Sequence, residues 1–222
     1  DRSFLNLRPR RAVILNIEED HLDCYKDIDA IRAAFTTFAR QVPDEGLVVL
    51  NAQDVRCRAL RPAVTARVET FGVDEHATWR ATDITLSDGR YAFNVVHDGT
   101  VLGRVHPALP GRHNVDNALA VIALAHDSGV PWAEMQPGLH EFVGARRRLE
   151  LRGEVDGRTI LDDYAHHPTE IRATLKAARE RFNPKRLWCV FQPHQHSRTR
   201  FLLTDFAQSF SYADRVVVPD IY

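Results

Sequence analysis

The residues Asp162 to Arg179, D-D-Y-A-H-H-P-T-E-I-R-A-T-L-K-A-A-R, set two carboxylates and two imidazoles between an apolar run, Thr159-Ile160-Leu161, and an amphipathic helix. Ile171, Leu175 and Ala178 recur at helical spacing, Pro168 suits a first helical turn, and Glu170 is an acid at the positive helix end. Titratable groups in a loop after a strand are where α/β proteins dock ligands. A second such loop, Gln192-Pro193-His194-Gln195-His196-Ser197-Arg198-Thr199-Arg200, follows the apolar run Arg186 to Phe191. Four of the eleven His fall between residues 166 and 196. Imidazole and guanidinium groups so gathered suit proton transfer and the stabilisation of developing negative charge. The alternatives are a helix cap with two solvated His, or a metal cluster of Asp162, Asp163, His166, His167 and His194 serving a hydrolase.

Three other stretches have similar promise. Glu18-Glu19-Asp20-His21-Leu22-Asp23 follows the apolar run Ala12 to Ile17 and offers acids and one borderline nitrogen to a divalent cation, or is a solvated acidic turn. Pro110 to Asn117 leads into an Ala-rich helix, Ala118 to Ala125, whose N-terminus has unpaired N–H groups for an anion. Asn114 and Asn117 share one helix face and can present carboxamides to a purine edge or a carbonyl; simple capping would explain one Asn but explains the pair poorly. Arg146-Arg147-Arg148 puts three guanidinium groups after the small-residue hinge Gly144-Ala145, with one or two placed to reach a phosphate.

The elements that must position these groups alternate strand and helix. Apolar runs at Ala12–Ile17 and Leu47–Leu50 read as strands buried on both faces, Val64–Phe71 as a third, and Ile28–Phe38 as a helix ended by Pro43. From Trp79 to His106 the period becomes two, with a turn at Asp98-Gly99, which predicts an antiparallel flap. A helix over Pro131–Phe142, a hairpin at Gly153 and Asp156-Gly157, a buried strand over Arg186–Phe191, a helix over Thr204–Phe210 and a strand over Arg215–Val218 complete the chain. The expected fold is α/β: a mainly parallel sheet with an antiparallel flap over residues 1–144, then a partial Rossmann-like α/β domain over 145–222. Both polar loops of the second part are expected on one edge of one sheet.

Composition is that of a globular chain, 44% hydrophobic and 27% charged, with a formal net charge of -1. No global field recruits nucleic acid or an anionic membrane, so neither is an expected partner. Three scattered Cys give no disulfide framework, and a reducing cytoplasm is expected. No run approaches the roughly 18 apolar residues of a membrane span. The chain opens without Met and ends after a strand-like run, so it is expected to be a piece of something longer.

N-I-E-E-D-H-L-D at 16 to 23, G-R-H-N-V-D-N-A at 111 to 118, D-D-Y-A-H-H-P-T-E at 162 to 170 and F-Q-P-H-Q-H-S-R-T-R at 191 to 200 together resemble the Mur ligases of peptidoglycan synthesis. The third string narrows the resemblance to two branches, one that adds L-alanine to UDP-N-acetylmuramate with ATP and Mg2+ and one that recycles murein tripeptide, and the fourth favours the bacterial, cytoplasmic alanine-adding branch; the recycling branch is the alternative within the family. The resemblance implies that residues 1–144 are the later part of a central ATPase-like domain, without its G-K-[ST] phosphate loop, and that 145–222 begin the C-terminal domain. It also implies a chain inactive by itself. By the same resemblance His21 binds magnesium, Asn114 and Asn117 the adenine side of ATP, and Arg148 and Asp163 its ribose and phosphates. Tyr164, His166, His194 and Arg198 line the amino-acid and acyl site, with His166, His194 and Arg198 catalytic. Gln195 and His196 depart from the usual Arg and Tyr, Leu149 from the usual Phe. The absence of Lys from residues 30–40 agrees with the alanine-adding branch.

Overall fold

A computed structural model describes residues 2–221 and resolves the chain into two compact units. The first comprises Asp1–Thr85, Ala92–Pro107 and Asn114–Glu141; the second comprises Leu86–Tyr91, Ala108–His113 and Phe142–Tyr222.

In the first unit, β1 (Arg11–Ile14) leads to α1 (Ile28–Arg40), which starts where the Asp27 carboxylate accepts the Ala30 amide at 2.9 Å. There follow β2 (Leu47–Asn51), the short α2 (Val55–Arg58), β3 (Arg67–Gly72), β4 (Trp79–Ser87), β5 (Arg90–His97) and β6 (Thr100–Val105). The six strands lie in the order β1-β2-β3-β4-β5-β6. β1 to β4 pair in parallel and β5 with β6 antiparallel, so the expected parallel sheet with its antiparallel flap is found. Leu47, Val48, Val49 and Leu50 of β2 are all buried, as a continuous apolar run requires when both sheet faces are covered. Ile14, Ile17, Val48, Leu50 and Ile31 of α1 share one core. The Ala-rich stretch becomes α3 (His113–Asp127), which buries Val115, Leu119 and Ile122, and α4 (Trp132–Glu141) follows.

In the second unit, β7 (Glu150–Val155) and β8 (Arg158–Asp162) form a hairpin turned by Asp156-Gly157. Then come α5 (Pro168–Phe182), β9 (Trp188–Val190), α6 (His196–Phe201), α7 (Leu203–Ser209) and β10 (Arg215–Val217). Ile171 and Leu175 of α5 pack with Phe191, Leu202 and Phe206. Two expectations are corrected here. β9 is not buried: Trp188 is 57% and Val190 72% exposed, because among the described residues β9 pairs with β10 alone and no further layer covers those side chains. Nor do β8 and β9 share a sheet: β8 pairs with β7 and β9 with β10, in separate two-stranded ladders. Among the described residues, no helix is long and apolar enough to cross a membrane.

Candidate functional site

The loop between β8 and α5 is built around two carboxylates. Asp163 accepts the Leu149 amide at 2.7 Å on one oxygen and the Ala165 amide at 2.8 Å on the other, pinning the Arg146–Leu149 segment beside its own loop. Tyr164 completes that seam by donating its amide to the Arg147 carbonyl at 2.8 Å. Arg147 and Leu149 hold positive φ angles of 56° and 48°, a left-handed conformation that is unfavourable for residues with a Cβ. The strain is offset by these backbone bonds and by the Glu150 carboxylate, which accepts the Arg147 amide at 2.8 Å.

Glu170 organises the other side. Its carboxylate accepts the His166 and His167 amides at 3.0 and 3.3 Å and the Arg148 guanidinium at 3.2 Å. Burial works against its charge, but the His166 amide and ring and the Arg148 cation outweigh burial and hold its carboxyl below the usual range. His167 caps α5: its Nδ1 accepts the Thr169 amide at 3.3 Å, and Glu170 returns the bond to the His167 amide.

The two adjacent imidazoles are therefore in opposite tautomers. His166 Nδ1 lies 2.9 Å from the Tyr164 carbonyl, which can only accept, so that nitrogen carries the proton and Nε2 is the basic nitrogen of the neutral ring. His167 Nδ1 receives an amide N–H, so its proton sits on Nε2. The helix-cap reading is thus correct for His167, whereas His166 turns its Nδ1 to the Tyr164 carbonyl. Tyr164, 53% exposed, lies under the Arg147 guanidinium at 4.9 Å and edge-on to the His166 ring at 5.1 Å. Arg147 also reaches Asp162 at 3.3 Å.

The structure thus gathers Arg148, Asp163, Tyr164 and His166 around one turn. His194 and Arg198 stand apart in sequence, on the loop after β9 and on α6. His194 is exposed, and Arg198 is buried at 8% exposure. Gln195 precedes α6 with φ 70° and accepts both the amide and the hydroxyl of Thr199 through its carbonyl, at 3.1 and 3.0 Å. The metal-cluster alternative finds no donor set: among the described residues no three His, Cys, Asp or Glu side chains are placed to hold an ion. Asp163 is committed to amides, Asp162 faces Arg147, and His167 is a cap.

In the first unit, Asn117 Nδ2 donates to Asn114 Oδ1 at 3.0 Å, so the two carboxamides form one pair on the first turn of α3. His21 sits in a left-handed turn with φ 52°, its amide on Asp20 Oδ1 at 2.7 Å and its Nε2 3.8 Å from Asp20 Oδ2. Sequence reasoning missed the residues that tie this loop down. Asn51 donates to the Leu15 carbonyl at 3.0 Å, and Asp54 accepts the Ile17 amide at 3.1 Å while capping α2. Their signal was polar residues directly after a buried strand. Also missed was His113 of the second unit. Surrounding protein disfavours its charged form and lowers its pKa although the residue keeps solvent exposure; Asp163 and Glu180 pull the other way, and Arg148 adds to the lowering.

Residues 2–125 match the model of the Mur ligase middle domain, and residues 147–220 match that of the Mur ligase glutamate ligase domain. The chain is 48% identical over 220 residues to the UDP-N-acetylmuramate--L-alanine ligase of Clostridium novyi, covering 99% of this chain and 48% of that protein. It is 46% identical over 222 residues to the enzyme of that name from Salinibacter ruber, covering 100% of this chain and 47% of that protein. The chain thus spans about half the length of the curated relatives it matches. The crystal structure of UDP-N-acetylmuramate-alanine ligase MurC from Thermotoga maritima superposes with a TM-score of 0.80 at 32% identity, over 100% of this chain and 48% of that one. With one family model matching more than half of the chain and a second matching most of the rest, the chain belongs to the Mur ligase family.

Proposed function

We propose that residues 1–144 and 145–222 are the later central domain and the start of the C-terminal domain of a cytoplasmic ligase that joins L-alanine to the lactyl carboxylate of UDP-N-acetylmuramate using ATP. The observation that carries this reading is identity of nearly half, sustained over the whole chain, to ligases named for these two substrates.

A carboxylate is inert to amines at neutral pH because oxide would have to leave. Attack of the lactyl carboxylate on the γ-phosphorus expels ADP and makes an acyl phosphate. The alanine amine then adds to the acyl carbon, inorganic phosphate leaves, and a base takes the ammonium proton. His166 Nε2 is our choice for that base, since the Tyr164 carbonyl fixes the other proton on Nδ1. His194 and Arg198 serve the acyl and amino-acid side with Tyr164, where a guanidinium offsets the charge of the tetrahedral intermediate. Asn114 and Asn117 hold the adenine, and Arg148 and Asp163 the ribose and phosphates.

Magnesium fits as a partly hydrated ion. The exposed His21, with Asp20 at 3.8 Å, is a one- or two-donor edge, and Mg2+ commonly takes only one or two protein ligands beside phosphate oxygens and water. It would neutralise phosphate charge there.

The test is amide formation by the complete gene product from UDP-N-acetylmuramate, L-alanine and ATP, read as phosphate release. Release that depends on L-alanine is expected, and release indifferent to it sinks the reading. The 222-residue chain alone, which contains no G-K-[ST] string, is expected to release none.

A further inference from the structure

The far end of α3, away from its asparagine pair, is held by a charge network that the nucleotide reading leaves unused. Asp127, the last residue of α3, receives Arg11 Nε on one carboxylate oxygen and the Arg67 guanidinium on the other. Arg11 also donates to the Asp127 carbonyl at 3.0 Å. Arg11 and Arg67 open β1 and β3, and both stand in register with Leu47, the first residue of β2 between them. Two cations from flanking strands thus converge on one anion at the start of the middle strand.

The network runs on into the core. Arg67 Nε lies 3.2 Å from Glu69 Oε1, and Glu69 Oε2 accepts the Trp79 indole N–H at 2.6 Å. Trp79 is fully buried and stacked on His97, with centroids 3.8 Å apart and planes 7° from parallel. His126, beside Asp127, lies edge-on to both rings at 5.1 and 4.9 Å. β1, β3, β4, β5 and α3 are therefore tied at one point.

A carboxylate at a helix C-terminus opposes the helix dipole, so Asp127 does not serve the helix by itself. Burial also works against its charge, and only the two arginines bring its carboxyl below the usual range. What the clamp fixes is the C-terminal end of the helix, against the starts of β1 and β3. At 1.5 Å per residue, Asn114 stands about 20 Å along the axis from Asp127, so a tilt of roughly 3° at the clamp moves the first turn by about 1 Å.

We propose that Asp127, gripped by Arg11 and Arg67, is a positioning residue for the Asn114 and Asn117 pair, setting the tilt of α3 and thereby the affinity for the ligand those carboxamides hold. This rests on the reading of that ligand as the adenine of ATP.

The experiment is steady-state kinetics of the complete protein with magnesium-ATP and then L-alanine as the varied substrate. Asp127→Asn is expected to raise KM for ATP by roughly tenfold, with KM for L-alanine and kcat changed less than about twofold. Arg11→Lys and Arg67→Lys keep the charges but lose the fork, and are expected to give smaller rises with the same selectivity. They also carry the test if Asp127→Asn does not fold. A folded variant with a lower melting temperature and an unchanged KM for ATP overturns the inference, as does a parallel rise in both KM values. A wild-type protein that consumes no ATP would instead sink the nucleotide reading itself.

Discussion

Glu170 collects two backbone amides and a guanidinium, so its charge holds the turn that presents His166. Its folded pKa is below its ordinary 4.5, so the unfolded chain binds the proton more readily. The stability it contributes is present above about pH 4.5 and is lost as pH falls through the lower folded value. Urea melts of wild type and Glu170→Gln should therefore differ at pH 7, by about 1 kcal/mol for a capping contact, and converge once pH has fallen through the lowered folded value. At the neighbouring position, His166→Ala in the complete protein should lower kcat about 10²- to 10⁴-fold if Nε2 takes the ammonium proton, while binding of magnesium-ATP stays unchanged by calorimetry. The residue types of this turn were legible in the sequence, but their division of labour was not. His166 and His167 are identical in composition, and only the backbone partner of each Nδ1 separates a basic ring from a cap.

At the scale of elements, α5 is the support on which other segments of the second unit rest. Gly111 has φ 94°, and a Cβ there would stand 2.7 Å from His113 Cε1 and 3.0 Å from Ala177 Cβ of α5. Gly111→Ala should cost more than about 1 kcal/mol, since both the backbone angle and the space are wrong, and thermal melts of the chain measure it. Tyr91 donates to Glu180 Oε1 at 3.0 Å, and burial, then Glu180, push its phenol up to about 12 from 10.0. That raised value means stability that is intact below pH 10 and lost as pH rises toward 12. Tyr91→Phe should remove this alkaline loss from a pH titration of the melting temperature.

Much of this level was legible beforehand. Continuous apolar runs marked β1 and β2, Asp98-Gly99 and Asp156-Gly157 marked their turns, and Pro168 marked the start of α5. The misreading of β9 has a physical cause. Leu187-Trp188-Cys189-Val190-Phe191 has the apolar continuity of a strand covered on both faces, yet local sequence does not say whether covering layers are present. The grip of Asp127 on Arg11 and Arg67 was invisible for a related reason: the partners are 116 and 60 residues away, and only the register of β1, β2 and β3 aligns them.

Taken whole, the molecule is two bodies of unequal robustness. The first buries a six-stranded sheet, whereas the second rests on Ile171, Leu175, Phe191, Leu202 and Phe206 with two two-stranded ladders, a form that is marginal alone. Single-tryptophan variants should report this in urea: Trp188 fluorescence, from the second unit, should change at lower denaturant than that of Trp79, from the first. Coincident transitions would contradict the inequality. The tip of the β4–β5 hairpin, Leu86–Tyr91, belongs to the second body: Arg181 donates to the Asp88 carbonyl, and the Arg181 backbone leaves no room for a Cβ at Gly89. Anyone dissecting the gene at the linear boundary near residue 142 would therefore sever that tip from its seat on α5. The N-terminal half, expressed alone, would display a bare Tyr91 and an unsupported loop, and its poor behaviour could be mistaken for an intrinsic defect of the sheet.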